Sequence, residues 1–112
     1  MKLVTAVVKP FKLDEVKVAL KAAGVAGMTV TPVRGFARQG GHADVHEGHE
    51  SEFNFVDKIR FDVACSDEQV AGVLDAIVTA ARTDTVGDGK VWVTDVEEVV
   101  RVRTNERGSE AL

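Results

Sequence analysis

The chain has 112 residues, 45% of them hydrophobic, with one cysteine, no tyrosine and a net charge of −4; that length fits one core and excludes a second domain. A mean hydropathy of −0.01 excludes wholesale disorder, and no apolar run nears the ~20 residues of a membrane helix. The lone Cys65 excludes an internal disulfide and any Cys-x-x-Cys centre, and the acidic balance disfavours nucleic acid as a partner.

Taken in chain order, residues 3–8 read as a strand apolar on both faces apart from Thr5, a pattern of central strands. Pro10 ends it, and the stretch Met1 to Pro10 shows no signal-peptide block; the single cysteine points to a reducing cytoplasm. Leu13, Val16, Ala19/Leu20 and Ala23 form a helical stripe with Lys12, Lys17 and Lys21 outside it. Asp14 and Glu15 suit the positive end of that helix, and Gly24 or Gly27 can close it. Residues 28–33 predict a second strand, placed at an edge by Pro32.

Periodicity then stops across residues 37–54, a length at which loops become functional suspects. The loop is acidic: residues 1–36 carry +4, whereas residues 37–55 carry −3. Strict alternation of Ile59, Phe61, Val63 and Cys65 predicts a half-buried strand. Ser66 and Gln69 have capping-box spacing ahead of a stripe of Val70, Val73/Leu74, Ile77/Val78 and Ala81. A loop over residues 82–88 leads to two strand-like runs, 91–93 and 99–103. This order predicts an α+β fold, a ferredoxin-like βαββαβ sandwich with both helices on one sheet face and a C-terminal tail strand. The bare face calls for cover, and oligomerisation is the expected source.

Three places can carry chemistry. In Gly87-Asp88-Gly89-Lys90 two glycines let backbone N–H groups converge on an anion, with a cation at the rim; the same residues also suit a plain strand-entry turn. The stretch has neither Walker A nor dinucleotide-fingerprint spacing. Arg101 and Arg103, two apart in a predicted strand, would share a face and suit phosphate, unless Glu97, Glu98 and Glu106 answer them on a solvated surface. His42, His46 and His49, mixed with Asp44, Glu47 and Glu50, could hold a zinc-like ion or lie in a polar loop. Cys65 ends a strand on its apolar face and reads as core. No nucleophile–base–acid arrangement stands out.

The chain closely resembles the PII nitrogen-regulatory signal-transduction proteins along its whole length, 1–112, as a single domain. Three blocks carry the likeness: Lys9-Pro10-Phe11-Lys12-Leu13-Asp14-Glu15-Val16; Gly27-Met28-Thr29-Val30-Thr31 through Gly35-Phe36 to Arg38-Gln39; and Gly87-Asp88-Gly89-Lys90 followed by Val96 to Thr104 and Glu106-Arg107-Gly108. The resemblance implies a cytoplasmic homotrimer with nucleotide sites in the clefts between subunits. It implies that Thr29, Arg38, Asp62, Gly87, Asp88, Gly89, Lys90, Arg101 and Arg103 bind ATP or ADP. Gln39 would ligate Mg²⁺ of Mg-ATP, and Gln39, Gly41, Lys58 and Gly87 would bind 2-oxoglutarate. Residues 37–55 would be the T-loop, residues 82–90 the phosphate loop and residues 101–112 the C-terminal segment.

The implied partners are ammonium transporters and nitrogen-metabolism enzymes, so membrane association would come only through a partner. The protein would be no enzyme, beyond at most slow ATP hydrolysis. The alternatives are a metal-responsive trimer of the same superfold using the loop histidines, and a ferredoxin-fold phosphatase acting through an arginine. Departures from the family pattern cluster in the loop. Ser51 occupies the usual site of a modified tyrosine, His49 the place of a serine phosphorylated in some relatives, and His46 that of a common tyrosine. Ala37 replaces a glycine, and Gly40 stands where a lysine often lies. With no tyrosine anywhere, tyrosyl uridylylation and adenylylation are chemically excluded.

Overall fold

The computed structural model describes residues 1–36 and 54–112. Its elements are β1 (Lys2–Val8), α1 (Leu13–Ala22), β2 (Thr29–Gly35), β3 (Val56–Cys65), α2 (Val70–Ala81) and β4 (Gly89–Asp95), with short 3₁₀ turns at Pro10–Lys12, Asp67–Gln69 and Gly108–Ala111. The four strands form one antiparallel sheet in the order β2-β3-β1-β4. That order, with the two β-α-β halves interleaved, is the expected ferredoxin-like α+β arrangement.

The pleat explains the core. Val4, Ala6 and Val8 of β1 and Ile59, Phe61, Val63 and Cys65 of β3 point to one face and are buried there. Val16 and Leu20 of α1 and Val73 and Ile77 of α2 close over them. Each helix thus buries the middle of the stripe its sequence spacing predicts, whereas Ala23, just past α1, and Val78 are exposed. Gly24, at φ +90, ends α1, and the Val25 N–H bonds back to the Leu20 carbonyl at 3.0 Å. Ahead of α2, the Ser66 N–H donates to the Gln69 side-chain oxygen at 3.0 Å, as the capping-box spacing predicts. Pro32 sits in edge strand β2, as its missing N–H predicts. Cys65 is buried in the core, and burial pushes its thiol pKa up.

No helix among the described residues lies on the opposite sheet face. The register aligns Thr29, Asp62, Thr5 and Trp92 in one row across all four strands. Thr5 is nevertheless buried, whereas Trp92 is 42% exposed.

The tail strand expected over residues 99–103 does not form. Val100 makes only an isolated bridge to Arg107, and the chain reverses between them. Asn105 adopts φ +63, the Arg101 N–H donates to the Glu106 carbonyl at 2.9 Å, and the Asn105 N–H to the Arg101 carbonyl at 2.8 Å. Asparagine tolerates this left-handed backbone and so favours a turn, which overrides the β-branched valines. Arg101 and Arg103 are therefore not alternating strand residues.

Candidate functional site

The site residues fall into two groups, one at the end of the sheet where β4 begins and one about the mid-sheet row that starts at Thr29 on the far edge. The first surrounds the loop between α2 and β4. Gly87 and Gly89 take φ +93 and +109, which suits their lack of a Cβ. At Gly89 the constraint is absolute, because a Cβ there would lie 1.9 Å from the Val7 carbonyl oxygen. The glycine lets β4 begin flush against β1, with Gly89 opposite Val8.

Between the glycines, the Asp88 carboxylate turns inward. It accepts the Thr83 hydroxyl, the Thr83 N–H at 2.7 Å and the Asp84 N–H at 2.9 Å, and it lies 3.3 Å from the Lys9 ammonium. These bonds, led by that from the Thr83 hydroxyl, hold its pKa well below the usual carboxylate range. A carboxylate depressed by folding adds stability above its unfolded pKa of about 4, and loses it as pH falls through the folded value. We therefore expect Asp88→Asn to lower the melting temperature at pH 7 and the deficit to shrink towards pH 2. A deficit constant across that range would contradict this role.

Lys58 reaches the same loop from β3, its ammonium donating to the Gly87 carbonyl. Burial lowers its pKa, and repulsion from Lys9 adds to the effect against the attraction of Asp88. Lys90 follows at the start of β4, exposed and without an ion pair to another described residue. Lysines 9 and 58, with Lys90, thus surround a glycine turn whose single acid is already consumed internally.

The second group lies further along β3. Asp62 accepts the Thr5 hydroxyl at 2.8 Å and the Arg60 guanidinium at 2.9 Å, and these hydrogen bonds, Arg60's first, lower its pKa. Asp62 lines a cleft of about 430 Å³ together with Met28, Thr29, Ala64, Val99 and Leu112. The C-terminal tail closes this cleft, and Arg101 is tied to the same tail. Its guanidinium pairs with Glu106 at 2.8 Å and donates to the Leu112 carbonyl at 3.1 Å. Glu106 therefore does answer Arg101, as one sequence reading allowed, whereas Arg103 is exposed and pairs with no described residue.

The structure thus gathers Lys58, Gly87, Asp88, Gly89 and Lys90 at one locus and Thr29, Asp62 and the Arg101 segment at another. Thr29 lies three strand spacings, about 14 Å, from β4, and Gly89 lies about 10 Å further along β4 than the Thr29 row. Lys9, Thr83 and Thr85 belong to the first locus although sequence reasoning gave them no role. Their only sequence signals were the Lys9-Pro10 pair beyond a buried strand and the threonines ahead of the glycine turn. Arg38, Gln39, Gly41, Ser51 and the three histidines lie outside the described residues. Among the described residues there is no cluster of three or more potential metal ligands and no helix long and apolar enough to cross a membrane.

Comparison with known proteins gives this geometry its context. A family model described as nitrogen regulatory protein P-II matches residues 1–106. A nitrogen regulatory protein P-II of Microchaete diplosiphon is 49% identical over all 112 residues of both chains. A protein of the same name from Cereibacter sphaeroides and nitrogen regulatory protein GlnK of Escherichia coli K12 are each 47% identical, again over the full length of both chains. The chain belongs to the P-II family of nitrogen-regulatory signal-transduction proteins.

Proposed function

We propose that the chain reports nitrogen, carbon and energy status by binding ATP or ADP together with 2-oxoglutarate, and passes the signal on by protein contact. The observation that carries this reading is the Gly87–Lys90 turn, a backbone cradle ringed by lysines. Polyphosphate suits it, because glycine turns present N–H groups to oxyanions and nearby ammonium groups add attraction, least screened at the half-buried Lys58. Asp88 serves by shaping the turn, since its carboxylate is engaged within the loop.

The separation of the two loci favours a homotrimer in which one subunit supplies Gly87–Lys90 and its neighbour supplies Thr29, Asp62, Arg101 and Arg103. Arg38 would join the nucleotide site, and Gln39 would hold the Mg²⁺ of Mg-ATP through its side-chain oxygen, a ligand type Mg²⁺ prefers. Lys58 would leave the Gly87 carbonyl to pair with a carboxylate of 2-oxoglutarate, with Gly41 and Gly87 at the same site. Residues 37–55 would present the result to ammonium transporters and nitrogen-metabolism enzymes, a coupling between ligand and partner sites. Any ATP hydrolysis would be slow and secondary.

Calorimetry tests the reading directly. We expect Mg-ATP and ADP to bind in competition, and 2-oxoglutarate to bind only when Mg-ATP is present. Lys90→Ala should weaken Mg-ATP by ~1.5–3 kcal/mol if it makes a charge-assisted bond. Trp92, two residues on and facing the same side of β4, gives a fluorescence signal for the same titration. No binding of either nucleotide would overturn the reading.

A further inference from the structure

Lys9 lies one residue beyond the buried end of β1, and Pro10 confines its backbone to the extended region, with φ −64 and ψ 137. Its stem is thereby fixed to the central sheet while its ammonium crosses to the loop 74 residues later in the chain. There it donates to the Thr83 hydroxyl at 3.1 Å and the Thr85 hydroxyl at 2.5 Å, and it lies 3.3 Å from the Asp88 carboxylate. An ammonium has three donors and no acceptor, so these contacts use its full capacity. The Lys9 and Asp88 side chains, 21% and 23% exposed, also neutralise each other. Among the described residues, Lys58 and Lys90 are left as cations of this locus, beside Arg82, which pairs with Asp84 at 2.6 Å.

We propose that Lys9 is a positioning residue for the nucleotide site: acting through Thr83, Thr85 and Asp88, it sets the loop that presents Gly87–Lys90 to phosphate, and it does not touch the ligand. This rests on the nucleotide-binding reading above. Losing Lys9 loosens the loop without dismantling it, because Asp88 keeps its bonds from Thr83 and Asp84 and the two threonine hydroxyls keep their 2.6 Å contact.

The test is calorimetric titration of the full chain with Mg-ATP. Lys9→Met should bind at least about tenfold more weakly, as expected for losing a charged hydrogen-bond donor. Lys9→Arg, which keeps charge and donors, should return to within about threefold of wild type. Lys9→Met combined with Thr85→Val should be no weaker than the worse single variant by more than about threefold, since both act through one loop. Wild-type affinity in Lys9→Met, or losses that multiply in the double variant as for a direct phosphate contact, would overturn the proposal. Should Lys9→Met fail to fold, Thr85→Val alone must weaken binding by about threefold or more, and unchanged affinity there overturns it equally. A wild-type chain that binds no nucleotide overturns the underlying reading instead.

Discussion

Gly89→Ala should cost at least ~3 kcal/mol of folding stability, a loss visible in urea denaturation at matched protein concentration. The added Cβ would sit 1.9 Å from the Val7 carbonyl oxygen, 3.0 Å from its carbon and 3.1 Å from the Val8 Cα. All three are backbone atoms of the central strand, which cannot swing aside as a side chain does. The backbone at φ +109 also disfavours any L-residue with a Cβ. Relief requires β4 to part from β1, and that opens the core beneath Val91 and Val93. Gly87→Ala is the control. A Cβ there would meet only the flexible ends of Lys9 and Lys58, at 3.6 and 3.8 Å, so its cost should stay near the ~1 kcal/mol of backbone strain. Equal losses in the two variants would show that the contact with Val7 does not govern this junction.

The second large effect concerns how the half-sites meet. On the proposed nucleotide reading, Lys90→Glu and Arg103→Glu should each abolish measurable Mg-ATP binding, because each would set an anion where that reading sets a cation against phosphate. Co-refolding the two variants in equal amounts should restore it in part. In a cyclic trimer whose clefts join the loop of one subunit to the tail of the next, random mixing leaves about a quarter of the clefts with both native residues. A site built within one subunit would leave none. Binding stoichiometry in the mixture therefore separates the two arrangements, and complete absence of recovery would rule out the shared cleft.

The residues that betrayed the fold are those whose neighbours in sequence decide their environment. Ile59, Phe61, Val63 and Cys65 alternate because the pleat sends every second side chain to the core, and the spacing of Val16 and Leu20 follows from the helical period. The glycine turn was likewise visible, since Gly87 and Gly89 bracket an acid at a strand entrance. The tail misled because Val99, Val100 and Val102 carry β propensity, while Asn105 and Glu106, further along, determine the reversal. Lys9 escaped for a different reason. Its partners lie at Thr83, Thr85 and Asp88, and no local pattern joins one end of a chain to the other. For the same reason sequence spacing could not reveal that Thr29 and Gly89 lie on opposite edges of one sheet.

Strand β1 touches both loci. Its Val7 carbonyl backs Gly89, its Thr5 hydroxyl steadies Asp62, and the chain leaving it supplies Lys9. It is also bonded on both sides, to β3 and β4, with its inner face in the core. A strand held so completely is a fixed datum, like the bed of a balance, to which the surrounding segments are referred. Binding energy gained at either end has no soft coordinate in the sheet to strain. On the binding reading proposed above, a signal would therefore have to travel through the connections that leave the strands rather than through the sheet itself.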